Sequence, residues 1–278
     1  MTMPLNLVLV RHGESEGNIA NKRSRTGDHA DFTEEFRARH SSTWKLTETG
    51  CAQADAAGKW IRKNLAGVVF DRCYTSPYAR AMETALLLDI PYARWFLEPA
   101  LREKEHGEMD VLSDDIRQEK WKHILKRMKC EPYYTKFPNG ESQADLCERI
   151  HARILGTLHR ECRDANVIVV CHAEVMWAFR VLLERISPSE YLRLDRSGDS
   201  NDHIHNGQVI HYTRRSPKEG SKSQHLSWLR SVCPWDESRS ASAGEWQNIT
   251  RTSFSNDMLL KELGAKYPEQ YQKKVASA

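Results

Sequence analysis

Short, solidly apolar runs alternate along the chain with longer amphipathic stretches. Residues 5–10 and 167–171 are almost wholly apolar, which is typical of strands buried on both faces of a parallel sheet. A third candidate strand is the segment VVFDRCYTS at 68–76. Apolar positions at helical spacing occupy the intervals between these runs. Strands that alternate with helices predict a layered α/β fold.

The amphipathic stretches carry helix-start signals. Thr47 is a candidate N-cap for TETGCAQADAAGKWIRKNL, and Ser76 with Pro77 begins SPYARAMETALLL. Ser187 and the proline after it mark a further helix start. Acidic residues early and basic residues late suit the dipole of a helix at 113–129. The other predicted helices lie at 47–65, 76–88, 140–162 and 173–185.

Two segments interrupt this alternation. Residues 19–45 are polar and charged, and we interpret them as a long loop inserted between the first strand and its helix. Residues 215–247 are rich in Ser, Lys and Arg but contain three tryptophans, which disordered tails normally lack. We therefore predict a main domain at 1–214 and a partly helical C-terminal extension at 215–278. The extension is expected to dock on the domain or on a second subunit, so a homodimer is left open.

Composition narrows the class of protein. Of 278 residues, 28% are charged and 40% hydrophobic, as in ordinary globular proteins. A net charge of +3 is too small to indicate a nucleic-acid partner. The apolar runs are too short to span a membrane, and the N-terminus lacks the pattern of a signal peptide. Seven scattered cysteines without CxxC spacing favour a reduced, cytoplasmic protein with neither a zinc site nor disulfides.

Two of the apolar runs end in histidine. The run at 5–10 continues into Arg11 and His12, and the run at 167–171 continues into His172. The carboxyl ends of parallel strands form the edge at which α/β sheets bind ligands. The helix or turn that follows each strand presents free N–H groups, which favour an anion.

Arg80, which follows YTSP in the first turn of a predicted helix, adds to this cluster. With Arg11 it would place two guanidinium groups beside two imidazoles. Such a cluster needs a dianionic partner, and phosphate matches the planar guanidinium fork. A lone histidine or a lone first-turn arginine is more often a packing or surface residue, so the prediction depends on the surrounding motifs.

Six ordered motifs supply that context. They are LVRHGESEGN, LTETGCAQA, YTSPYARAMETA, LREKEHGEM, FPNGESQADLCERI and VIVVCHAEVM. In these motifs, and in their order across residues 5–212, the chain resembles the histidine phosphatase (phosphoglycerate mutase-like) superfamily. The resemblance implies a three-layer α/β/α sandwich around a mostly parallel sheet. It also implies a phosphomonoesterase, without metal or cofactor, that acts on a small phosphorylated metabolite through a phosphohistidine.

The resemblance assigns the catalytic roles, and the chemistry agrees with them. His12 would be the nucleophile, and Arg11, Arg80 and His172 would hold the phosphoryl oxygens.

The general acid is the remaining catalytic role. The family pattern places this acid four residues before a glycine, here Gly107, which selects Glu103. Glu105 is the alternative.

A further set of residues matches family positions that touch the phosphoryl group or the substrate. These residues are Ser15, Asn18, Thr26 and Gly27. Ala173 stands where many relatives have glycine, and its backbone N–H can still donate a hydrogen bond. Arg25 lies beside Thr26 and Gly27, and we interpret the 19–45 segment as a candidate lid over the site.

The segment YYTKFPNGES most resembles the bisphosphatase half of the fructose-2,6-bisphosphate enzymes, in which a basic segment binds the phosphate that is not cleaved. Lys136 would serve that role here, but Asn139 stands where a lysine is expected. We therefore expect a substrate with a second anionic group, and inefficient turnover of fructose-2,6-bisphosphate itself.

Two other functions remain open. A phosphoglycerate mutase would return the phosphoryl group to its substrate, but such mutases carry a YGxLQG-like stretch after the acid, where this chain has EHGEMDVL. An inactive phosphate-binding regulatory protein is the other alternative, and the complete catalytic set argues against it.

Overall fold

A single seven-stranded sheet organises the protein in a computed structural model that describes residues 2–275. The strands are β1 (Asn6–Arg11), β2 (Arg72–Thr75), β3 (Trp95–Leu97), β4 (Asn166–Cys171), β5 (Val209–Thr213), β6 (Trp228–Val232) and β7 (Gln247–Asn248). Their order across the sheet is β3-β2-β4-β1-β5-β6-β7.

The sheet is mixed. The pairs β3–β2, β2–β4 and β4–β1 are parallel, whereas β1–β5, β5–β6 and β6–β7 are antiparallel. The predicted α/β class is confirmed, and the antiparallel share is larger than the sequence indicated. Long helical crossovers separate the parallel strands, whereas no α-helix lies between β5 and β7, as antiparallel connections allow.

Helices cover both faces of the sheet. The α-helices within residues 2–275 are α1 (Glu16–Arg25), α2 (Glu34–Ala38), α3 (Glu48–Asn64), α4 (Ala79–Leu87), α5 (Asp114–Cys130), α6 (Gln143–Arg149), α7 (Gly156–Glu161), α8 (Ala173–Glu184), α9 (Pro188–Asp195), α10 (Asn256–Lys266) and α11 (Pro268–Val275). Leu7 and Leu9 of β1 pack into one core with α6 and α8, and Val8 and Val10 pack into a second core with α3 and α4. Alternate side chains of a strand point to opposite faces, so one strand supplies both cores of the predicted three-layer sandwich.

The predicted helix starts were right in two of three cases. Thr47 caps α3 by accepting a hydrogen bond from the backbone N–H of Gly50, and Ser187 caps α9 in the same manner. The predicted start at Ser76 is wrong, because α4 begins at Ala79 with Tyr78 as its N-cap.

The long predicted helix at 140–162 is divided. It forms α6, then Ile150–Leu155 with π-helical hydrogen bonding, and then α7.

The 19–45 segment contains regular structure that the sequence analysis did not predict. It includes most of α1, all of α2 and a 3₁₀ turn at Ser41–Thr43. A small hydrophobic cluster holds it together, and its members are Ala20, Phe32, Phe36 and Trp44, with Val111 packed against them. Its role as a lid stays a prediction.

The C-terminal region continues the sheet. Strand β6 lies antiparallel to β5, and β7 pairs with β6, so residues on both sides of 214 contribute strands to the one sheet. The division of the chain at 214 stays a prediction. All seven cysteines are free thiols. Among residues 2–275, no helix has both the length and the apolar content needed to cross a membrane.

Gly17 of α1 lies so close to Trp44 that a side chain does not fit. A Cβ atom at Gly17 would lie 2.0 Å from a carbon of the Trp44 ring. We expect Gly17→Ala to lower the free energy of unfolding by about 1–3 kcal/mol, the usual cost of overpacking, in urea titrations. Gly198→Ala is the control, because no atom lies within 4 Å of the added carbon. Equal stabilities of the two variants would contradict the packing argument.

Candidate active site

The two predicted histidines meet at the carboxyl end of the sheet. Arg11 pairs with Cys171 in the parallel β1–β4 ladder, and the backbone N–H of His12 donates to the Cys171 carbonyl at 3.0 Å. The next residue on each strand is therefore a histidine at the same height. The ring centroids of His12 and His172 lie 5.1 Å apart, and both side chains are buried.

The hydrogen bonds of His12 define its tautomer. Its Nδ1 lies 2.7 Å from the Gly13 carbonyl oxygen, which can only accept, so Nδ1 carries the proton. Its Nε2 accepts a hydrogen bond from Arg80 Nε at 3.2 Å. Burial, aided by the charges of Arg80 and Arg11, holds the pKa of His12 well below its usual range. The ring is therefore neutral at pH 7, with its lone pair on Nε2.

The loop after His12 is fixed by close backbone packing. A Cβ atom at Gly13 would lie 2.1 Å from the Gly50 carbonyl oxygen, so only glycine fits between β1 and the start of α3. The Gly13 N–H donates to Thr84 Oγ1 at 3.1 Å. Asn206 Nδ2 donates to the His12 carbonyl at 3.1 Å. These contacts pre-organise the imidazole before any ligand binds.

Two arginines surround the imidazoles. Arg80 Nη1 donates to the Ser41 carbonyl at 2.7 Å, and Arg11 Nη1 donates to the Ile204 carbonyl at 2.6 Å. Burial lowers the pKa of Arg11 to about 10 and also lowers that of Arg80, and arginine side chains stay cationic at pH 7. Because the acceptors of their hydrogen bonds, two carbonyls and the His12 imidazole, are neutral, the positive charge is left for an anion.

His172 occupies the N-cap position of α8. Its Nε2 lies 2.8 Å from Ser76 Oγ, and its buried Nδ1 has no hydrogen-bond partner within residues 2–275. Burial, together with the charge of Arg80, holds the pKa of His172 well below its usual range. The Ser76 hydroxyl also accepts from the Tyr78 N–H at 3.3 Å. The Ser76 hydroxyl therefore contacts His172 and the Tyr78 N–H, and Ser76 is not the N-cap of α4, which starts later than predicted.

Glu103 has the environment expected of an acid. Burial, and secondarily the charge of Glu174, raises the pKa of Glu103 to about 7. The only hydrogen bond to its carboxylate within the described residues comes from the Lys104 backbone N–H at 2.9 Å. Glu105 is instead paired with Arg102 at 2.8 Å. The geometry thus favours Glu103 over Glu105 as a proton donor near pH 7.

Of the predicted catalytic residues, Arg11, His12, Arg80 and Glu103 line one cleft with a volume of about 160 Å³, and His172 does not border it. Of the predicted substrate-binding residues, Ser15, Asn18 and Arg25 line it. Ser15 caps α1, and Ser15 and Asn18 bond each other in a reciprocal capping box.

The remaining predicted contacts do not line the cleft. Thr26 is the C-cap of α1 and bonds the Arg23 carbonyl. Gly27, at φ 92°, continues that turn. Lys136 is exposed and paired with Asp145 at 2.9 Å. Ala173 is the first residue of α8 and directly follows His172 in the chain.

Several residues of the cleft were missed from the sequence. They are Asn21, Ser41, Trp44, Tyr78, Lys104, His106, Met109, Asp110 and Arg117. Asp110 accepts from the Ser41 hydroxyl at 2.7 Å, and the carbonyl of Ser41 holds Arg80. Lys104 pairs with Glu174 at 3.2 Å. Adjacency to Glu103 was the only sequence signal for Lys104. Within residues 2–275, no group of three or more His, Cys, Asp or Glu side chains is arranged to hold a metal ion.

The arrangement suits transfer of a phosphoryl group to nitrogen. A neutral imidazole presents a lone pair, cations and N–H donors surround it, and a carboxyl group with a pKa near 7 faces the same cleft. Stabilisation of a phosphoryl group is chiefly electrostatic, and this charge distribution provides it.

Comparisons with known proteins agree with this geometry. Residues 7–204 match the family described as the histidine phosphatase superfamily (branch 1). A 2,3-bisphosphoglycerate-dependent phosphoglycerate mutase from Brucella melitensis is 33% identical over 203 residues, covering 69% of this chain and 87% of that protein. A similar mutase from Bartonella bacilliformis is 33% identical over 200 residues, with 68% and 85% covered.

Solved structures of low sequence identity share the fold. One is described as a putative alpha-ribazole-5'-P phosphatase from Escherichia coli, with a TM-score of 0.58 and 19% identity over 81% of this chain and 97% of that one. Another is a mycobacterial glucosyl-3-phosphoglycerate phosphatase, with a TM-score of 0.57 and 19% identity over 74% and 92% of the two chains.

Proposed function

Because this chain belongs to the histidine phosphatase superfamily, we propose that it hydrolyses small phosphomonoesters through a phosphorylated His12. The observation that carries the proposal is the state of His12. Its Nδ1 proton is bound to the Gly13 carbonyl and, within residues 2–275, its Nε2 lone pair accepts a hydrogen bond only from Arg80. A phosphate group that binds Arg80 takes over that hydrogen bond and brings phosphorus to Nε2.

The first step forms the covalent intermediate. Nε2 of His12 attacks phosphorus, the bond between phosphorus and the ester oxygen breaks, and Glu103 gives its proton to the departing alkoxide. Arg11 and Arg80 offset the charge on the non-bridging oxygens. His172 lies beside His12 as a second neutral imidazole, and its role in holding the same oxygens rests on the family resemblance, because it does not border the cleft.

The second step restores the enzyme. Glu103, now a carboxylate, takes a proton from water, and the resulting hydroxide attacks phosphorus. The bond between Nε2 and phosphorus breaks, the electron pair of that bond returns to Nε2 of His12, and phosphate leaves. A pKa of about 7 suits Glu103 to both steps, because neither protonation state is costly at neutral pH.

Phosphate release tests the proposal. We expect the protein to release phosphate from p-nitrophenyl phosphate and from a panel of sugar, nucleoside and acid phosphates with EDTA present. No release from any member of the panel by a folded protein would reject the phosphatase. Fructose-2,6-bisphosphate belongs in the panel, and we expect it not to lead by orders of magnitude.

Phosphoglycerate mutase activity is the second candidate function, favoured by the 33% identity to mutases. The active-site chemistry is shared up to the phosphohistidine, and the two functions differ in the acceptor. With 3-phosphoglycerate and catalytic 2,3-bisphosphoglycerate, a mutase forms 2-phosphoglycerate, whereas the proposed phosphatase releases phosphate faster than it isomerises. The ratio of these two rates, followed by ³¹P NMR, separates them.

A further inference from the structure

One face of α1 lines the cleft along the whole helix. Ser15, Asn18, Asn21 and Arg25 all border the cleft, and their spacings of three, three and four residues place them on the same helical face. At about 1.5 Å per residue, the helix axis from Ser15 to Arg25 is ~15 Å long. The cleft therefore extends beyond the space that a phosphoryl group on His12 needs.

Arg117 of α5 joins Arg25 at this distal end. The backbone N–H of Asp114 donates to Ser24 Oγ at 2.7 Å, which docks the start of α5 on the end of α1. Arg117 follows one turn later and borders the same cleft. Burial lowers the pKa of Arg117, and the like charge of Arg25 lowers it further. Two cations thus share one wall.

Neither guanidinium has an anionic partner. Within residues 2–275, no carboxylate oxygen lies within 4.0 Å of Arg25 or Arg117, although other arginines of these helices, such as Arg23 and Arg127, are paired. Asp110 and Asp114 raise the pKa of Arg117 from a distance, and Asp110 is bonded to the Ser41 hydroxyl.

An unused donor points to a ligand at this end. Arg117 Nε is buried and has no hydrogen-bond partner within residues 2–275, and Arg117 borders the cleft. Buried donors are normally satisfied, and leaving one without a partner is costly. An anion bound between Arg25 and Arg117 offsets the repulsion of their charges and accepts a hydrogen bond from the unused donor.

We infer that Arg25 and Arg117 bind a second anionic group of the substrate, at the far end from the phosphoryl group that is transferred. The substrate class is then a phosphomonoester that carries a carboxylate or a second phosphate several bonds away. As a statement about catalysis this rests on the proposed function; as a statement about binding it does not. Lys136, the residue expected to hold that group, is 53% exposed and already paired with Asp145.

A matched set of ligands tests the subsite. Glucitol 6-phosphate, 6-phosphogluconate and glucitol 1,6-bisphosphate differ only at C1, which carries a hydroxyl, a carboxylate or a phosphate. We expect kcat/KM to be at least about tenfold higher for a compound with a second anion, as a charge-assisted bond supports. Arg25→Gln and Arg117→Gln should each reduce that ratio by about tenfold.

Arg23→Gln and Arg127→Gln are the matched controls, because these exposed arginines lie on the same two helices and already have carboxylate partners. They should keep the ratio of the wild-type protein. A preference for the carboxylate or for the bisphosphate would identify the anion. No preference in the wild type, or an equal loss for all three compounds in Arg25→Gln and Arg117→Gln, would overturn the inference.

Binding separates this inference from the proposed function. The phosphonate analogues of the three compounds have a C–P bond that is not hydrolysed, so calorimetry reports the subsite without turnover. Tighter binding of the two analogues that carry a second anionic group at C1, lost in Arg117→Gln, supports the subsite even where no phosphate is released. Turnover of p-nitrophenyl phosphate with equal binding of all three analogues supports the phosphatase and rejects the subsite.

Discussion

His12→Ala is expected to lower kcat by on the order of 10⁴ or more on every phosphomonoester, because removal of a covalent nucleophile commonly costs several orders of magnitude. In the described cleft, His12 is the only histidine whose Nδ1 proton is bound to a carbonyl, which leaves the lone pair on Nε2 for attack on phosphorus. Phosphate release under saturating substrate measures the loss.

His159→Ala is the control for this variant, since His159 is exposed on α7 outside the cleft. It should keep the activity of the wild-type protein. Circular dichroism and thermal melting establish that His12→Ala is folded. A folded His12→Ala protein with a kcat within tenfold of wild type would show that another group is the nucleophile.

Glu103→Gln is expected to lower kcat/KM by about 10²–10⁴-fold on alkyl phosphates, the usual contribution of a general acid. The loss should be much smaller on p-nitrophenyl phosphate, because p-nitrophenolate leaves without a proton. Glutamine keeps the size of the side chain but cannot donate an acidic proton. The ratio of activities on the two substrates therefore isolates proton donation from binding.

The pH dependence of kcat/KM is a second test of Glu103 as the general acid. The first step needs the protonated acid, whose pKa is raised to about 7, so that form is present below pH 7 and is lost above it. We expect kcat/KM on alkyl phosphates to fall about tenfold per pH unit above that value, and Glu103→Gln to lack this limb. Glu105→Gln should keep both the limb and the substrate ratio. A limb that disappears in Glu105→Gln instead would reverse the assignment.

Strands β1 and β4 were predictable, because each is an unbroken apolar run, whereas β3 was not predicted and β2 occupies only part of the strand predicted at 68–76. Leu7 to Val10 supply both cores from one strand, and a run buried on both faces has this pattern. The antiparallel half was not predicted. Strand β6 is only partly buried over its first three residues, so its sequence does not stand out from the polar segments around it.

Local signals also explain the missed helix α1. Its capping box pairs Ser15 with Asn18, whereas the usual sequence signature has Glu or Gln at that position. Only Gly17, Ala20 and Ser24 of this helix are buried, so apolar periodicity is weak. Packing of Trp44 against Gly17 stabilises the segment, and that contact depends on residues far apart in sequence.

The residues of the site also fall into those that the sequence predicts and those that it does not. Arg11, His12 and His172 were predictable because they lie at or directly after strand ends, which the sheet brings together regardless of loop structure. Arg117 was not, because its place depends on the docking of α5 on Ser24. Lys136 was predicted from a motif, but its carboxylate partner Asp145 lies on the next helix and could not be weighed without the structure.

The covalent intermediate tests the central claim most directly. Wild-type protein mixed briefly with ³²P-labelled substrate, quenched in base and digested should yield one labelled peptide, which contains His12. The label should be lost in acid and kept in base, as a phosphoramidate requires, and should be absent from His12→Ala. A turning-over wild-type enzyme that never carries label on His12, or carries it in an acid-stable form, would contradict the account.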